Sequence, residues 1–456
     1  MRNIFFCLLL SISFGGCANR SLQTKELPPH ILLIYVDDMG LGDASFMGND
    51  FIPTPHIDKM TKGGKVFEQY YTNSPVCSPS RVAITTGMYP LRWNINSFLS
   101  HKKHNDLCDQ AGFLDVRAPS IAKRLKQAGY KTAHFGKWHM GGGRRIEAPA
   151  ITEYGFDTYV STWESPDPDP LLTSSNWIWA RSDSIKRWER TKYFVDNTLA
   201  FLQEHRNASC YINLWPDDIH TPWVGSKEEL EKGKKNYKSE AHFYTVMADF
   251  DQEVGRLIAG IEEMGLDKRT LIIFTSDNGP APTFNKKRTL GLRGSKNSLY
   301  EGGIRMPFIA YWPTVIEGGQ VDQKSVLSAI DLYPTLCRIG GIEPPKEWEF
   351  DGEDVSKAML GSNIHARQSP IYWEYGRINP RTSIPKDSLN RSLPLSIRQR
   401  NWKFFTSFEG NEAELYELGA DPQESKDLSE QHPKLVEELR EKALSWFQVW
   451  DKSEVR

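Results

Sequence analysis

A chain of 456 residues holds about two to three domains of ordinary size. With 39% hydrophobic and 25% charged residues it can bury a sizeable core, which excludes bulk disorder. Lys plus Arg number 56 against 58 Asp plus Glu, a net charge of -2, which argues against a nucleic-acid scaffold but leaves room for a small anionic ligand held by a few local cations.

The chain opens with Arg2, a short apolar run over 4–14, and the small residues Gly15 and Gly16 before Cys17. That order reads as an export signal over 1–16, and the run is far short of the ~20 residues a membrane-spanning helix needs. The small-small-Cys ending resembles a bacterial lipobox with Cys17 as the lipidated residue; plain secretion is the other reading. Residues 17–29 are polar, end in Pro28-Pro29 and read as a tether. The expected location is the periplasm or cell envelope, with membrane contact only through the lipid anchor.

From residue 30 the apolar runs 31–36, 132–135, 210–214, 271–275 and 308–311 read as buried strands. Helical patterns lie between them. One has Pro119 in its first turn and Gly129 as its stop; a longer one carries Met247, Phe250, Val254, Leu257, Ile261 and Met264 and closes at Gly265. Alternating strands and helices predict an α/β domain with a mostly parallel sheet, assigned to 30–364. The runs 371–375, 396–400, 403–408 and 415–418 read as short strands close in sequence, followed by a helix over 433–449. They predict a C-terminal α+β subdomain with an antiparallel sheet, assigned to 365–456. Residues 160–190 read as a surface insertion rich in Trp and Pro.

In an open α/β sheet, ligands bind beyond the carboxyl ends of the strands. Here four strands run into polar residues: Asp37-Asp38, Lys137 with His139, Asp217-Asp218 with His220, and Asp277-Asn278. Asp37, Asp38, Asp277 and Asn278 are hard oxygen ligands, which suit calcium or magnesium better than zinc. Either pair read alone is an ordinary turn; two pairs, each directly after a strand, make metal binding an equal reading. Outside the leader the cysteines are Cys77, Cys108, Cys210 and Cys337, without zinc or disulfide-framework spacing, although an exported chain can pair two of them. Cys77 opens a turn-to-helix segment with Arg81 four residues on. A cysteine there is either packed or an activated thiolate.

At these residues the chain resembles the formylglycine-dependent type I sulfatases. Cys77-Ser78-Pro79-Ser80-Arg81 matches the family's C-x-P-x-R core. The segment from Gly129-Tyr130-Lys131-Thr132 to Gly136-Lys137-Trp138-His139 matches its second signature. Arg293-Gly294-Ser295-Lys296 with 300–307, and Leu415-Tyr416-Glu417-Leu418 with Asp421-Pro422, resemble two later blocks. Thr85, Phe135 and Ser295 depart from the usual residues without touching a reacting group. The resemblance implies an alkaline-phosphatase-like fold, Cys77 oxidised to formylglycine by a separate maturation enzyme, and one calcium ion on Asp37, Asp38, Cys77, Asp277 and Asn278. It implies that Arg81, Lys137 and Lys296 neutralise sulfuryl oxygens, that His220 or Lys296 protonates the leaving alcohol, and that His139 helps expel sulfate from the second diol hydroxyl. The implied substrate is a sulfated carbohydrate. Trp163, Trp177, Trp179 and Trp188 of the insertion, with His101 and His104 of a polar loop, read as contacts to its sugar rings, and the tryptophans equally as residues that pack the insertion onto the domain. Two rivals stand beside it: a phosphatase or phosphodiesterase of the same fold, and a non-catalytic glycan-binding lipoprotein with Cys77 unmodified.

Overall fold

The computed structural model describes residues 27–143, 147–175, 178–226, 239–377 and 384–451. The signal peptide, Cys17 and most of the tether lie outside the described residues, as does Trp177. The main sheet contains β1 (His30–Val36), β2 (Gly64–Phe67), β4 (Lys131–Gly136), β5 (Thr158–Ser161), β6 (Cys210–Trp215), β7 (Thr270–Ser276), β9 (Phe308–Tyr311) and β10 (Gln320–Asp322), in the spatial order β10-β2-β9-β7-β1-β6-β4-β5. A small second sheet joins β3 (Tyr70–Tyr71), β8 (Arg305–Met306) and β11 (Leu327–Ser328). In the main sheet only β9 runs against its neighbours; β1, at the centre, pairs in parallel with β6 and β7.

The central strands are apolar throughout because both of their faces are covered. Ile31, Leu33 and Tyr35 pack with Tyr211, Leu271 and Ile273 on one face. Leu32, Ile34 and Val36 pack with Ile212, Ile272 and Phe274 on the other. The Cys77–Thr86, Ile121–Gln127 and Leu332–Ile339 helices cover the first face. The Pro55–Lys62, Arg190–Glu204 and Glu240–Glu263 helices cover the second. The Met247-to-Ile261 stripe lies on the last of these, and Gly265 follows it at φ +68°, where a side chain would be strained. Pro119 stands ahead of the Ile121–Gln127 helix, not in its first turn, because Ser120 is the N-cap.

The C-terminal strands β12 (Ile371–Glu374), β13 (Leu395–Gln399), β14 (Trp402–Thr406) and β15 (Ala413–Glu417) form an antiparallel sheet in chain order. Alternation sorts its two faces. Ile397, Phe404 and Leu415 receive Val436, Leu439 and Ala443 of the Pro433–Asp451 helix. Ile371, Trp373, Phe405 and Tyr416 pack on Tyr71, Leu299 and Tyr300 of the large sheet's domain. The segment after residue 293 is thereby pinned between the two sheets.

Candidate active site

The rim of the sheet is built by register. Val36 of β1 and Ser276 of β7 are direct partners in a parallel pair, so the residues that follow them emerge side by side. The Asp38 amide donates to Asp277 Oδ1 at 3.1 Å, and Asn278 Nδ2 donates to Asp38 Oδ1 at 2.7 Å. Gly136 of β4 pairs with Trp215 of β6, and the Lys137 amide donates to the Trp215 carbonyl at 2.9 Å. From there Lys137 Nζ reaches Asp37 Oδ2 at 2.7 Å. Asp38, His139 and Asn297 hold φ of 61°, 53° and 71°, left-handed conformations that cost energy in non-glycine residues and that gather here at one rim.

Cys77 is the first residue of the Cys77–Thr86 helix. Its Sγ lies 3.6 Å from Lys137 Nζ and 3.7 Å from Lys296 Nζ. Lys296 Nζ in turn donates to Asp38 Oδ1 and Oδ2 at 2.6 and 2.8 Å. Asp37 and Asp38 hold both ammonium groups well above the ordinary lysine range, although burial opposes this. Burial pushes the Cys77 thiol up to about 12, and the two lysines do not offset it. The activated-thiolate reading therefore fails: an unmodified Cys77 stays a neutral thiol and a poor nucleophile.

Arg81, one turn into the same helix, is fully buried. Its Nη2 donates to Asp277 Oδ2 at 2.7 Å and lies 3.3 Å from Asp37 Oδ1, while Nη1 donates to the Lys137 carbonyl at 2.7 Å. It braces the carboxylates from beneath. Burial and repulsion from Asp37 push the Asp277 carboxyl up to about 7, while Asp37 and Asp38 stay below the usual carboxylate range because Lys137 and Lys296 outweigh burial. One ligand atom each from Asp37, Cys77 and Asp277 falls within 4.8 Å of the others. Asn278 Oδ1 and Asp37 Oδ1 are buried and accept no hydrogen bond. Hard oxygen donors, crowded carboxylates and acceptors without a donor fit a cation of the calcium type.

The two histidines face the site in defined tautomers. His139 Nε2 stands 2.9 Å from the Leu99 carbonyl, which can only accept, so Nδ1 is the lone pair, and it has no partner. His220 Nδ1 stands 2.7 Å from the Thr221 carbonyl by the same logic, leaving Nε2 as the lone pair, 3.6 Å from Asp38 Oδ2. Burial and Lys137 hold His139 well below its ordinary value, and burial and Lys296 bring His220 down to about 4. Both are neutral at pH 7. His139 is thus in the form a base needs, and Lys296 carries the proton that His220 lacks.

Cys77, Lys137, His139, His220 and Lys296 line one cavity of about 330 Å³. Trp163, Phe98, Asn297 and Glu164 complete its wall. Of the expected specificity contacts only Trp163 lines it among the described residues; Trp179 and Trp188 are half-buried and do not. His104 instead stacks on Phe98 at 4.3 Å, and His101 caps the Lys102–Leu107 helix. Asp217 is withdrawn from the rim by Arg187 and Arg190, and Asp218 by Thr191. Glu164 went unread because the edge strand before it, β5, is partly exposed and polar, so a fifth strand end was hidden. Cys77, Cys108, Cys210 and Cys337 are all buried, and no disulfide joins any two of them.

The chain matches the family model described as Sulfatase over residues 29–342 and the one described as N-sulphoglucosamine sulphohydrolase, C-terminal, over 294–447. It is 30% identical over 374 residues to the N-acetylgalactosamine-6-sulfatase of Rattus norvegicus, covering 76% of this chain and 68% of that protein. It is 26% identical over 516 residues to the N-acetylgalactosamine-6-O-sulfatase of Bacteroides thetaiotaomicron, covering 93% of this chain and 95% of that one. The crystal structure of Ps i-CgsB in complex with k-i-k-neocarrahexaose superposes with a TM-score of 0.75 at 25% identity, covering 94% of each chain.

Proposed function

This chain belongs to the sulfatase family and is a sulfuric ester hydrolase, and from that membership we propose that it releases inorganic sulfate from a monoester on a glycan, using formylglycine made from Cys77. The observation that carries the reading is the setting of Cys77 on the cavity wall, with the buried Lys137 and partly buried Lys296 ammonium groups 3.6 and 3.7 Å from its sulfur. That is a seat for the anionic oxygens of a sulfate ester, next to the atom that must become the nucleophile.

Asp37, Asp38, Asp277 and Asn278 would hold one calcium ion, whose charge would lower the pKa of an oxygen bound beside it. Converted to formylglycine, position 77 would present a hydrated aldehyde in place of the inert thiol. The other roles belong to side chains as they stand. Lys137 and Lys296 bind sulfuryl oxygens and offset charge that builds on them. Lys296 gives a proton to the departing sugar oxygen, and His220 Nε2 accepts a hydrogen bond beside it. His139 Nδ1 takes a proton when sulfate leaves. Arg81 keeps Asp37 and Asp277 aimed, and Trp163 with Phe98 keeps bulk water from the reacting group.

The names of two relatives make N-acetylgalactosamine 6-sulfate the first sugar to try. The leader sequence supports export, and no described helix is long and apolar enough to cross a membrane. The test is sulfate release from a panel of sulfated sugars, by protein co-produced with a formylglycine-generating enzyme, with Cys77→Ala and matched phosphate esters as controls. Release from a sugar sulfate that is lost in Cys77→Ala and absent for phosphates supports the reading. Turnover of the phosphates instead assigns a phosphatase. Position 77 left as cysteine in protein from its native source, with retention on a sulfated-glycan column, assigns a non-catalytic binding lipoprotein; no turnover with position 77 converted points to a longer or aryl sulfate.

A further inference from the structure

A carboxyl group stands in the cavity that must accept an anion. Glu164 is only 6% exposed, yet it lines the same cavity as Cys77 and Lys137. Its Oε2 accepts a hydrogen bond from Thr162 Oγ1 at 2.9 Å. Its Oε1 has Lys137 Nζ at 3.9 Å, too far for a hydrogen bond, and no donor among the described residues comes nearer. The backbone around it is fixed: the His139 amide donates to the Glu164 carbonyl at 3.0 Å, and the Gly143 amide to the Ser165 carbonyl at 2.9 Å. An acceptor that faces the cavity from a preorganised wall, without a hydrogen-bond donor from the described residues, is placed to take a donor from outside the chain.

Lys137 Nζ is 3.6 Å from Cys77 Sγ and 3.9 Å from Glu164 Oε1, so the carboxyl is no more than about 7.5 Å from the reacting position. That is within one sugar ring of the sulfur. A carboxylate there repels a second sulfate and takes a strong charge-assisted hydrogen bond from a hydroxyl. Trp163 lines the same wall.

We propose that Glu164 determines specificity: it accepts a hydrogen bond from a free sugar hydroxyl beside the sulfated carbon and rejects a second anionic group at that position. The inference rests on the glycan reading above and narrows it to sugars that are monosulfated around the reacting ester. A purely electrostatic role, in which Glu164 only tempers Lys137, predicts no such discrimination.

The experiment compares three probes in each case: the monosulfated sugar that the wild type cleaves fastest, its counterpart lacking the neighbouring hydroxyl, and its counterpart sulfated there. In N-acetylgalactosamine 6-sulfate, where C5 carries only the ring oxygen, the nearest free hydroxyl is on C4, so this sugar, its 4-deoxy form and the 4,6-disulfate are one such set. Wild-type kcat/KM should fall roughly 10- to 100-fold when the hydroxyl is removed, as expected for a hydrogen bond to a charged group. Glu164→Gln should compress that ratio to within about threefold and raise the relative rate on the disulfate, and Glu164→Asp should restore part of the preference. A wild type that cleaves the monosulfated and deoxy sugars equally overturns the inference without any variant. So does a Glu164→Gln variant that slows all three probes alike. A wild type that cleaves 4-nitrophenyl sulfate but no sugar sulfate overturns the glycan reading itself, a different outcome.

Discussion

Two clusters of buried charge lie at the two edges of the large domain, and they look alike on paper. One is the rim of Asp37, Asp38, Asp277, Arg81, Lys137 and Lys296. The other joins Lys403 of β14 to Glu301 and Glu424 at the seam with the C-terminal sheet; all three are fully buried. Each cluster contains a carboxyl pushed up to about 7, Asp277 in the first and Glu424 in the second, chiefly by burial. The difference lies in satisfaction. At the seam, Lys403 Nζ meets Glu301 Oε1 at 2.8 Å and Glu424 Oε1 at 2.9 Å, Tyr71 OH donates to Glu301 Oε2 at 2.7 Å, and the Glu301 amide donates to Glu424 Oε2 at 2.7 Å. Every carboxylate oxygen there has a cation or a donor against it. At the rim, Asn278 Oδ1 has neither against it among the described residues, and Asp37 Oδ1 has only Arg81 Nη2 at 3.3 Å, which makes no hydrogen bond to it; left-handed backbone marks both clusters, at Asp38 and His139 here and at Glu424 in the seam. Buried charge, a shifted pKa and a left-handed backbone therefore do not mark a site by themselves; an acceptor with neither donor nor cation, beside a cavity, does.

If this contrast is sound, changes at the two places affect different observables. The largest effect should come from Lys137→Ala, which removes the ammonium between Asp37 and position 77. Sulfate release should drop about 10³-fold in kcat, equivalent to ~4 kcal/mol. A loss below tenfold would move Lys137 out of the chemistry. Next, Lys403→Met strips the seam of its cation and leaves two facing carboxylates. Stability in urea should fall by about 3 kcal/mol, with kcat/KM per folded molecule retained. A catalytic loss without destabilisation would erase the distinction. Third, calcium should stabilise the wild type by about 2.7 kcal/mol at one hundred times its dissociation constant, read from denaturation midpoints. Asp277→Asn should lose that gain and Glu424→Gln should keep it, because Lys403 and the Glu301 amide already stand against the Glu424 oxygens.

Much of the rim was legible in the sequence for a physical reason. Strands β1 and β7 are covered on both faces, so they read as unbroken apolar runs, and the Asp-Asp and Asp-Asn pairs stand out at their ends. The four C-terminal strands were legible for a different reason: they are close in sequence, and the last three are joined by short connections. The seam cluster was not legible. Lys403, Glu301 and Glu424 are far apart along the chain, and each alone looks like a surface charge. The strands β2 and β10 were missed because they are short and partly polar. Glu164 is hidden with its edge strand, and the pairing of Arg81 with Asp37 and Asp277 cannot be read from its place in the motif. Single-residue chemistry is visible in a sequence; which oxygen is already satisfied is not.

The smallest predicted effect sharpens the contrast from beneath the rim. His134 of β4 is fully buried, edge-on to Trp138 and Trp215 at 5.2 and 5.0 Å, and burial with the Arg81 charge brings its pKa down to about 3. The sign follows from the direction of the shift. The unfolded chain takes up a proton at this imidazole below its ordinary value near 6.5, while the folded chain does not until about 3. The contribution of a neutral His134 to stability is therefore fully present above pH 6.5 and is lost as pH falls toward 3. At pH 5.0 the loss should reach about 2 kcal/mol relative to pH 7.5, from ~1.5 pH units of unbalanced titration. Urea midpoints at the two pH values, for wild type and His134→Gln, isolate this share. Gln cannot titrate, so its pH dependence should be shallower by about that amount. Equal pH dependence in the two proteins would mean that His134 is protonated within the fold, beside Arg81, and that the floor of the rim tolerates charge as readily as the seam does.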